Sequence, residues 1–304
     1  MSLEKYYGVI PAFYACYEDD GKVSPKRTKA LARRMVDKGV QGLYVNGSSG
    51  ECIYLRPCER RTILEAVMEE VGDECTIIAH VACNNTEDSM ALAAHAESLH
   101  VDAIASIPPI YFHLPENAIA KYWNDISSAA PNTDFVIYNI PQLAGVALTP
   151  GLFKKMLDNP RVVGVKNSSM PVQDIETFVR LGGDKIVVFN GPDEQFVSGR
   201  AIGACGGIGG TYAVMIELFL KMNDLIGKGD IPAAAAIQHE VNGIIEDLCS
   251  CRGNMYAVNK AVLGINEGLE LGSVRAPLTP LADEDMPKVE AVAGRIRKAI
   301  AKFC

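Results

Sequence analysis

A chain of 304 residues, 48% hydrophobic and 22% charged, can build a large core and has the balance of an ordinary water-soluble protein, not a disordered or fibrous one. Its net charge of −8, with no Lys/Arg-rich stripe, argues against a nucleic-acid surface. No run approaches the roughly 18 apolar residues a membrane span needs, so no membrane partner is expected.

The start, "MSLEKYYGVIPAFYACYEDDG", lacks a signal-peptide layout, and its Met-Ser-Leu is open to being a cloning scar. Nine cysteines without a CxxC pair fit reduced thiols, so a cytoplasmic protein is expected. The first apolar run, at 7–13 (YGVIPAF), predicts a strand. Ser24 before Pro25 reads as a helix N-cap with proline at the first helical position, and Gly39 suits that helix's end. A second strand, at 42–46 (GLYVN), runs into "NGSSGE", and a third is expected at 76–81 (TIIAHV). Thr86 before "EDSMALAAHAESL" reads as the next helix start, with acids in its first turn.

Five more strands are expected at 101–107 (VDAIASI), 135–139 (FVIYN), 162–166 (VVGVK), 186–190 (IVVFN) and 205–208 (CGGI). These runs are nearly continuous in apolar residues, as parallel strands covered on both faces should be. Eight strands, each followed by a helix, predict an α/β fold of the (β/α)₈ TIM barrel type, with an open doubly wound sheet as the alternative. Helical stretches follow at about 214–248 in two pieces, at 254–264 and at 285–303. Residues 1–212 are therefore expected as the barrel core, and 213–304 as its closing helix and C-terminal helical extension within the same domain.

Active sites of such barrels lie at the C-terminal ends of the strands. Lys166 ends strand 6 in "VVGVKNSS", where burial would lower its pKa and free the amine to attack a carbonyl. The alternative is a structural ion pair across the barrel with Glu51 or Asp193. Tyr138 ends the neighbouring strand, either as a proton shuttle for Lys166 or as a core tyrosine. In "GSSGE", backbone N–H groups and the hydroxyls of Ser48 and Ser49 could hold a carboxylate, or the stretch is an ordinary Gly/Ser turn. The Gly206–Gly210 loop leaves phosphate binding open, although no cation accompanies it. His80, His95, His100, His113 and His239 show no metal-site spacing, and His95 and His100 read as solvated. Cys249 and Cys251 read as helix-end thiols, and no GxGxxG follows strand 1. Neither a metal nor a dinucleotide is expected.

In their order, "GSSGE", "YNIP", "GVKNSS" and "GGIGGTY" resemble the pyruvate-dependent class I aldolases, the dihydrodipicolinate synthase and N-acetylneuraminate lyase family. The resemblance spans essentially the whole chain and is strongest to the lyase branch, through "YNIPQLAGVALT" and "NGPDEQFVSGRAIGACGGIGGTY". Leu143 stands where the synthase branch usually has an arginine.

The resemblance implies a (β/α)₈ barrel, a homotetramer, and a lyase that splits a 2-keto acid into pyruvate and an aldehyde. The lyase branch implies N-acetylneuraminate as the substrate, giving N-acetylmannosamine and pyruvate. No cofactor is implied beyond the covalent imine on Lys166. Catalytic roles are implied for Lys166, Tyr138 and Ser48, with Tyr111 of "PPIYFH" supplied to a neighbouring subunit. Substrate contacts are implied for Gly47, Ser49, Ser168, Gly191, Asp193, Glu194 and Gly210, the Asp193–Glu194 pair meeting the polyol tail. That pair also reads as a helix N-cap. Ala144, Gly210 and Ala15-Cys16-Tyr17 depart from the family pattern, and Gly210 lacks the hydroxyl of the lyase branch. Dihydrodipicolinate synthase, 2-keto-3-deoxy sugar acid aldolases and a non-catalytic ligand-binding barrel stay open as alternatives. Cys52, after the carboxylate loop, is either a reactive thiol or a packed one.

Overall fold

In a computed structural model, residues 3–304 are described; Met1 and Ser2 of the opening Met-Ser-Leu lie outside the described residues. Eight parallel strands run β1 Val9–Pro11, β2 Gly42–Val45, β3 Thr76–His80, β4 Ala103–Ser106, β5 Asp134–Asn139, β6 Val162–Asn167, β7 Val187–Asn190 and β8 Gly206–Gly209. Each pairs with its neighbours in sequence, and β8 returns to pair with β1. A parallel bridge between Ala12 and Tyr44, with the Phe13 amide donating to the Tyr44 carbonyl at 2.9 Å, joins β1 to β2. The fold is the TIM barrel, with no open sheet edge to leave amides unpaired.

The helices are α1 Pro25–Asp37, α2 Pro57–Val71, α3 Thr86–Ser98, α4 Glu116–Ser128, α5 Pro141–Ala144, α6 Pro150–Met156, α7 Gln173–Gly182, α8 Phe196–Ala201, α9 Ile216–Gly227, α10 Ile231–Cys249, α11 Met255–Glu267 and α12 Met286–Phe303. Ser24 caps α1 by accepting the Arg27 amide, a contact worth about 1 kcal/mol. α3 starts at Thr86 as expected, with Glu87 and Asp88 in its first turn. Asn85 is its cap, accepting the Asp88 amide at 2.7 Å. α4 shows the helical period plainly: Ile119, Tyr122, Trp123 and Ile126 are buried on one face against the strands. His95 is half-buried, not solvated, with Nε2 2.9 Å from Glu65 on α2.

Inside the barrel, Ile10, Tyr44, Ile78, Ala103, Val136, Phe189 and Ile208 form the inner layer, floored by Tyr6. The Tyr6 hydroxyl donates to the Asp134 carboxylate at 2.7 Å, which ties the N-terminal turn across the bottom. The larger core lies between strands and helices, and apolar residues of α10, α11 and α12 such as Ile244, Val262 and Ile296 belong to it. Among the described residues no helix is long and apolar enough to cross a membrane.

Candidate active site

Parallel pairing of β5 with β6 sets Tyr138 directly beside Lys166, and Asn139 beside Asn167. One residue further on, Asn139 Nδ2 donates to Asn167 Oδ1 at 2.7 Å, and Asn139 Oδ1 accepts the Leu148 amide at 2.9 Å. These bonds fix the ends of the two strands that carry the lysine and the tyrosine.

Lys166 is 4% exposed. Its Nζ lies 4.1 Å from the centroid of the Tyr138 ring and 4.2 Å from that of Tyr44. Burial lowers its pKa to about 7, with the charge of Asp193 pulling weakly the other way. The ion-pair alternative fails among the described residues, because both candidate carboxylates are engaged elsewhere. Glu51 accepts Lys260 Nζ at 2.8 Å, and Asp193 is turned onto the β8 loop.

The Asp193 carboxylate accepts the Gly210 amide at 3.2 Å, the Thr211 amide at 2.6 Å and the Thr211 hydroxyl at 2.5 Å. Burial pushes its pKa up to about 6, against the lowering effect of the Thr211 bonds. Those two amides are the donors a phosphate would need, so the phosphate reading of the Gly206–Gly210 loop is overturned. The glycines have a packing cause. A Cβ at Gly207 would lie 2.8 Å from the Phe196 ring, and one at Gly209 would enter the Tyr212 ring. The helix-cap reading of the pair fails too, since neither Asp193 nor Glu194 caps the short helix that follows.

Tyr138 is buried, and desolvation pushes its pKa up to about 12, while hydrogen bonding with the Ser48 and Ser168 hydroxyls acts in the opposite sense. A pocket of about 280 Å³ opens above Lys166. Lys166, Tyr138, Ser48, Ser49, Ser168, Gly191, Asp193, Glu194 and Gly210 all line it. Gly47 lies underneath, where a Cβ would come within 2.6 Å of the Tyr44 ring. Glu194 is exposed at the mouth, and Leu143 beside it is 62% exposed.

Tyr111 is outside this pocket. It is 86% exposed, holds φ at 89°, and stacks edge-to-face on Phe112 with ring centroids 5.0 Å apart. Cys52 is half-buried, and its thiol is held above its ordinary pKa by burial, which argues against a reactive thiolate. His80 sits under the loop after β2 and bonds the Asn46 carbonyl at 3.0 Å.

Sequence reading missed three contributors. Tyr44 supplies the second ring over the lysine; its inward place could have been found from β2 alternation. Tyr256 accepts the Ser49 hydroxyl at 3.2 Å, and Cys249 lines the mouth. Both come from helices with no local signal for a site.

The sequence profile of the Dihydrodipicolinate synthetase family matches residues 5–296. The chain belongs to that family. It is 62% identical over 302 residues to an N-acetylneuraminate lyase of Mediterraneibacter gnavus, covering 99% of this chain and 96% of the relative. An N-acetylneuraminate lyase of Citrobacter koseri is 32% identical over 289 residues, covering 95% and 96%. Among solved structures, the catalytic lysine mutant of Ruminococcus gnavus sialic acid aldolase has a TM-score of 0.99 at 62% identity, covering 100% of this chain and 99% of that one.

Proposed function

We propose that this chain is an N-acetylneuraminate lyase that splits its substrate into pyruvate and N-acetylmannosamine through an imine on Lys166. The carbon–carbon lyase class follows from the family and its relatives. The observation that carries the chemistry is the low-pKa amine of Lys166, buried against the rings of Tyr138 and Tyr44.

The neutral amine attacks C2 of the keto acid, and loss of water gives an iminium. The Ser48–Ser49 loop receives the carboxylate through hydroxyls and backbone N–H groups. Tyr138 takes the C4 hydroxyl proton as the C3–C4 electron pair moves into the iminium, leaving an enamine and releasing the aldehyde. At rest Tyr138 is a phenol, given its pKa of about 12. Its phenol proton leaves with the C2 oxygen as water when the iminium forms, and the iminium charge over the ring favours the resulting phenolate, which is the form that takes the C4 proton. The proton then returns to C3, and water releases pyruvate from the lysine. Every bond made and broken involves this chain, the substrate or water, so the mechanism calls for no cofactor.

Glu194 and Gly191 meet the polyol end in this reading, and Asp193 shapes that wall through the β8 loop. Leu143, with no cation to bind a second carboxylate, disfavours the synthase. A homotetramer would cover the exposed Tyr111–Phe112 pair and carry Tyr111 into a neighbouring pocket. A cytoplasmic setting fits nine free thiols.

The test is pyruvate release from N-acetylneuraminate by the purified protein. Turnover is expected. No turnover, with pyruvate still trapped on Lys166 by borohydride, would move the substrate to a 2-keto-3-deoxy sugar acid.

The pH dependence has a definite sign. Below a pKa of about 7 the amine is protonated and cannot attack, so imine formation should fall tenfold per pH unit there and level off above. The rate of pyruvate trapping by cyanoborohydride between pH 5 and 9 checks this. A profile flat to pH 5 would contradict it.

A further inference from the structure

The loop that carries Ser48 and Ser49 is held in an unusual backbone shape. Its ends, Asn46 at φ 61° and Glu51 at φ 57°, lie in the left-handed region, which asparagine tolerates and glutamate adopts at a cost its surroundings must offset. The first end is enforced by the barrel: Asn46 Nδ2 donates to the Arg60 carbonyl at 2.8 Å. The second is enforced from outside it. The fully buried Glu51 carboxylate accepts Lys260 Nζ at 2.8 Å, the Tyr17 hydroxyl at 3.0 Å and the Arg275 amide at 2.7 Å.

Lys260 belongs to α11, and it is not alone on that face. Tyr256 accepts the Ser49 hydroxyl at 3.2 Å. Asn259 Nδ2 donates to the Tyr14 hydroxyl at 3.0 Å, which donates to the Gly210 carbonyl at 2.6 Å. Spacing of three and four residues puts 256, 259 and 260 on one side of the helix. That side therefore grips both the β2 loop and the β8 loop. A buried ion pair is weak evidence of stabilisation and better evidence of a fixed arrangement, because its geometry must be met for both charges to stay satisfied.

We propose that α11 is the positioning element of the carboxylate-binding loop: Lys260 fixes its Glu51 end, and Asn259, through Tyr14, fixes the β8 loop at Gly210, which lies close against Ser49, so that Ser48 and Ser49 stand where a keto acid's carboxylate must land. The inference rests on the reading that Lys166 forms the imine and that this loop takes the carboxylate. Lys260 and Asn259 act through the loop and do not touch substrate.

The experiment compares pyruvate with propanal, a carbonyl compound without a carboxylate, as partners for reductive trapping. Labelling is read at the Lys166 peptide by mass in the full-length protein. Lys260→Met should raise the half-saturating pyruvate concentration ~10-fold or more, the size of one lost charged hydrogen bond. Propanal labelling of Lys166 should keep its wild-type rate. Asn259→Leu is the second variant. It removes no charge, and the Asn259 carbonyl has no partner to lose, so the protein should fold; it should shift pyruvate the same way by roughly threefold.

Equal losses for pyruvate and propanal would assign α11 a general structural role and overturn the proposal. So would unchanged pyruvate saturation in Asn259→Leu. A wild-type protein that traps no pyruvate at Lys166 would instead bring down the imine reading, and this inference with it.

Discussion

Lys166→Ala should abolish pyruvate release while leaving the barrel folded. A positioned nucleophile supplies an effective molarity on the order of 10⁵–10⁸ M, so a loss of at least about 10⁵-fold is expected. Lys260, the other buried lysine, is committed to Glu51 and does not substitute. The stability side is equally definite. In the unfolded chain this lysine keeps its proton up to 10.5, whereas in the folded chain it releases it near 7. Between those values the unfolded state binds more protons, so the lysine's cost to folding grows as pH falls from 10.5 to about 7 and is constant below. Alanine removes that cost, which offsets the lost packing of the aliphatic stem. Melting temperatures should therefore show the variant at its best relative to wild type at neutral pH, with the advantage shrinking toward pH 10. A variant that still turns over would sink the imine mechanism. One that unfolds at neutral pH would show that the amine, against its desolvation cost, stabilises the fold.

The barrel was legible because its strands are covered on both faces. Runs such as "TIIAHV" and "FVIYN" carry little polar residue to confuse the period, and each meets a cap or a glycine before the next helix. Ends were less sharp: the first strand was expected from residue 7, but β1 begins at Val9, just after the single helical turn Glu4–Tyr6. The Lys166–Tyr138 pair was legible for a topological reason, since adjacent parallel strands bring their ends together. What stayed hidden has no local pattern. The Asp193 carboxylate could have faced the lysine, the substrate or a helix end; only the folded β8 loop shows its two oxygens taken. Glu51 and Lys260 are 209 residues apart, and neither flank hints at the other. Tyr111 read as a site residue through resemblance alone, and in this chain's own fold it faces outward.

Tyr138→Phe should leave imine formation nearly intact and cut cleavage by 10²–10⁴-fold, the usual contribution of one general acid–base group. The split follows from what each part of the side chain does. The ring, which phenylalanine keeps, faces the amine at 4.1 Å and contributes to the apolar enclosure that lowers the lysine's pKa. The hydroxyl, which phenylalanine lacks, is the group that reaches the Ser48 and Ser168 hydroxyls and, in the proposed mechanism, moves the proton. Packing should survive, because the hydroxyl borders the open pocket and its removal creates no cavity beneath it. Single-turnover experiments separate the two steps: cyanoborohydride trapping of pyruvate reports imine formation, and pyruvate release from N-acetylneuraminate reports C3–C4 cleavage. Fast trapping with slow cleavage is the expected signature. If both steps slow together, the ring's position rather than the hydroxyl's proton transfer controls the rate, and Tyr138 belongs with the aromatic cradle that Tyr44 completes. If neither slows, another group moves the proton, and the hydroxyls of Ser48 and Ser168 become the first to replace.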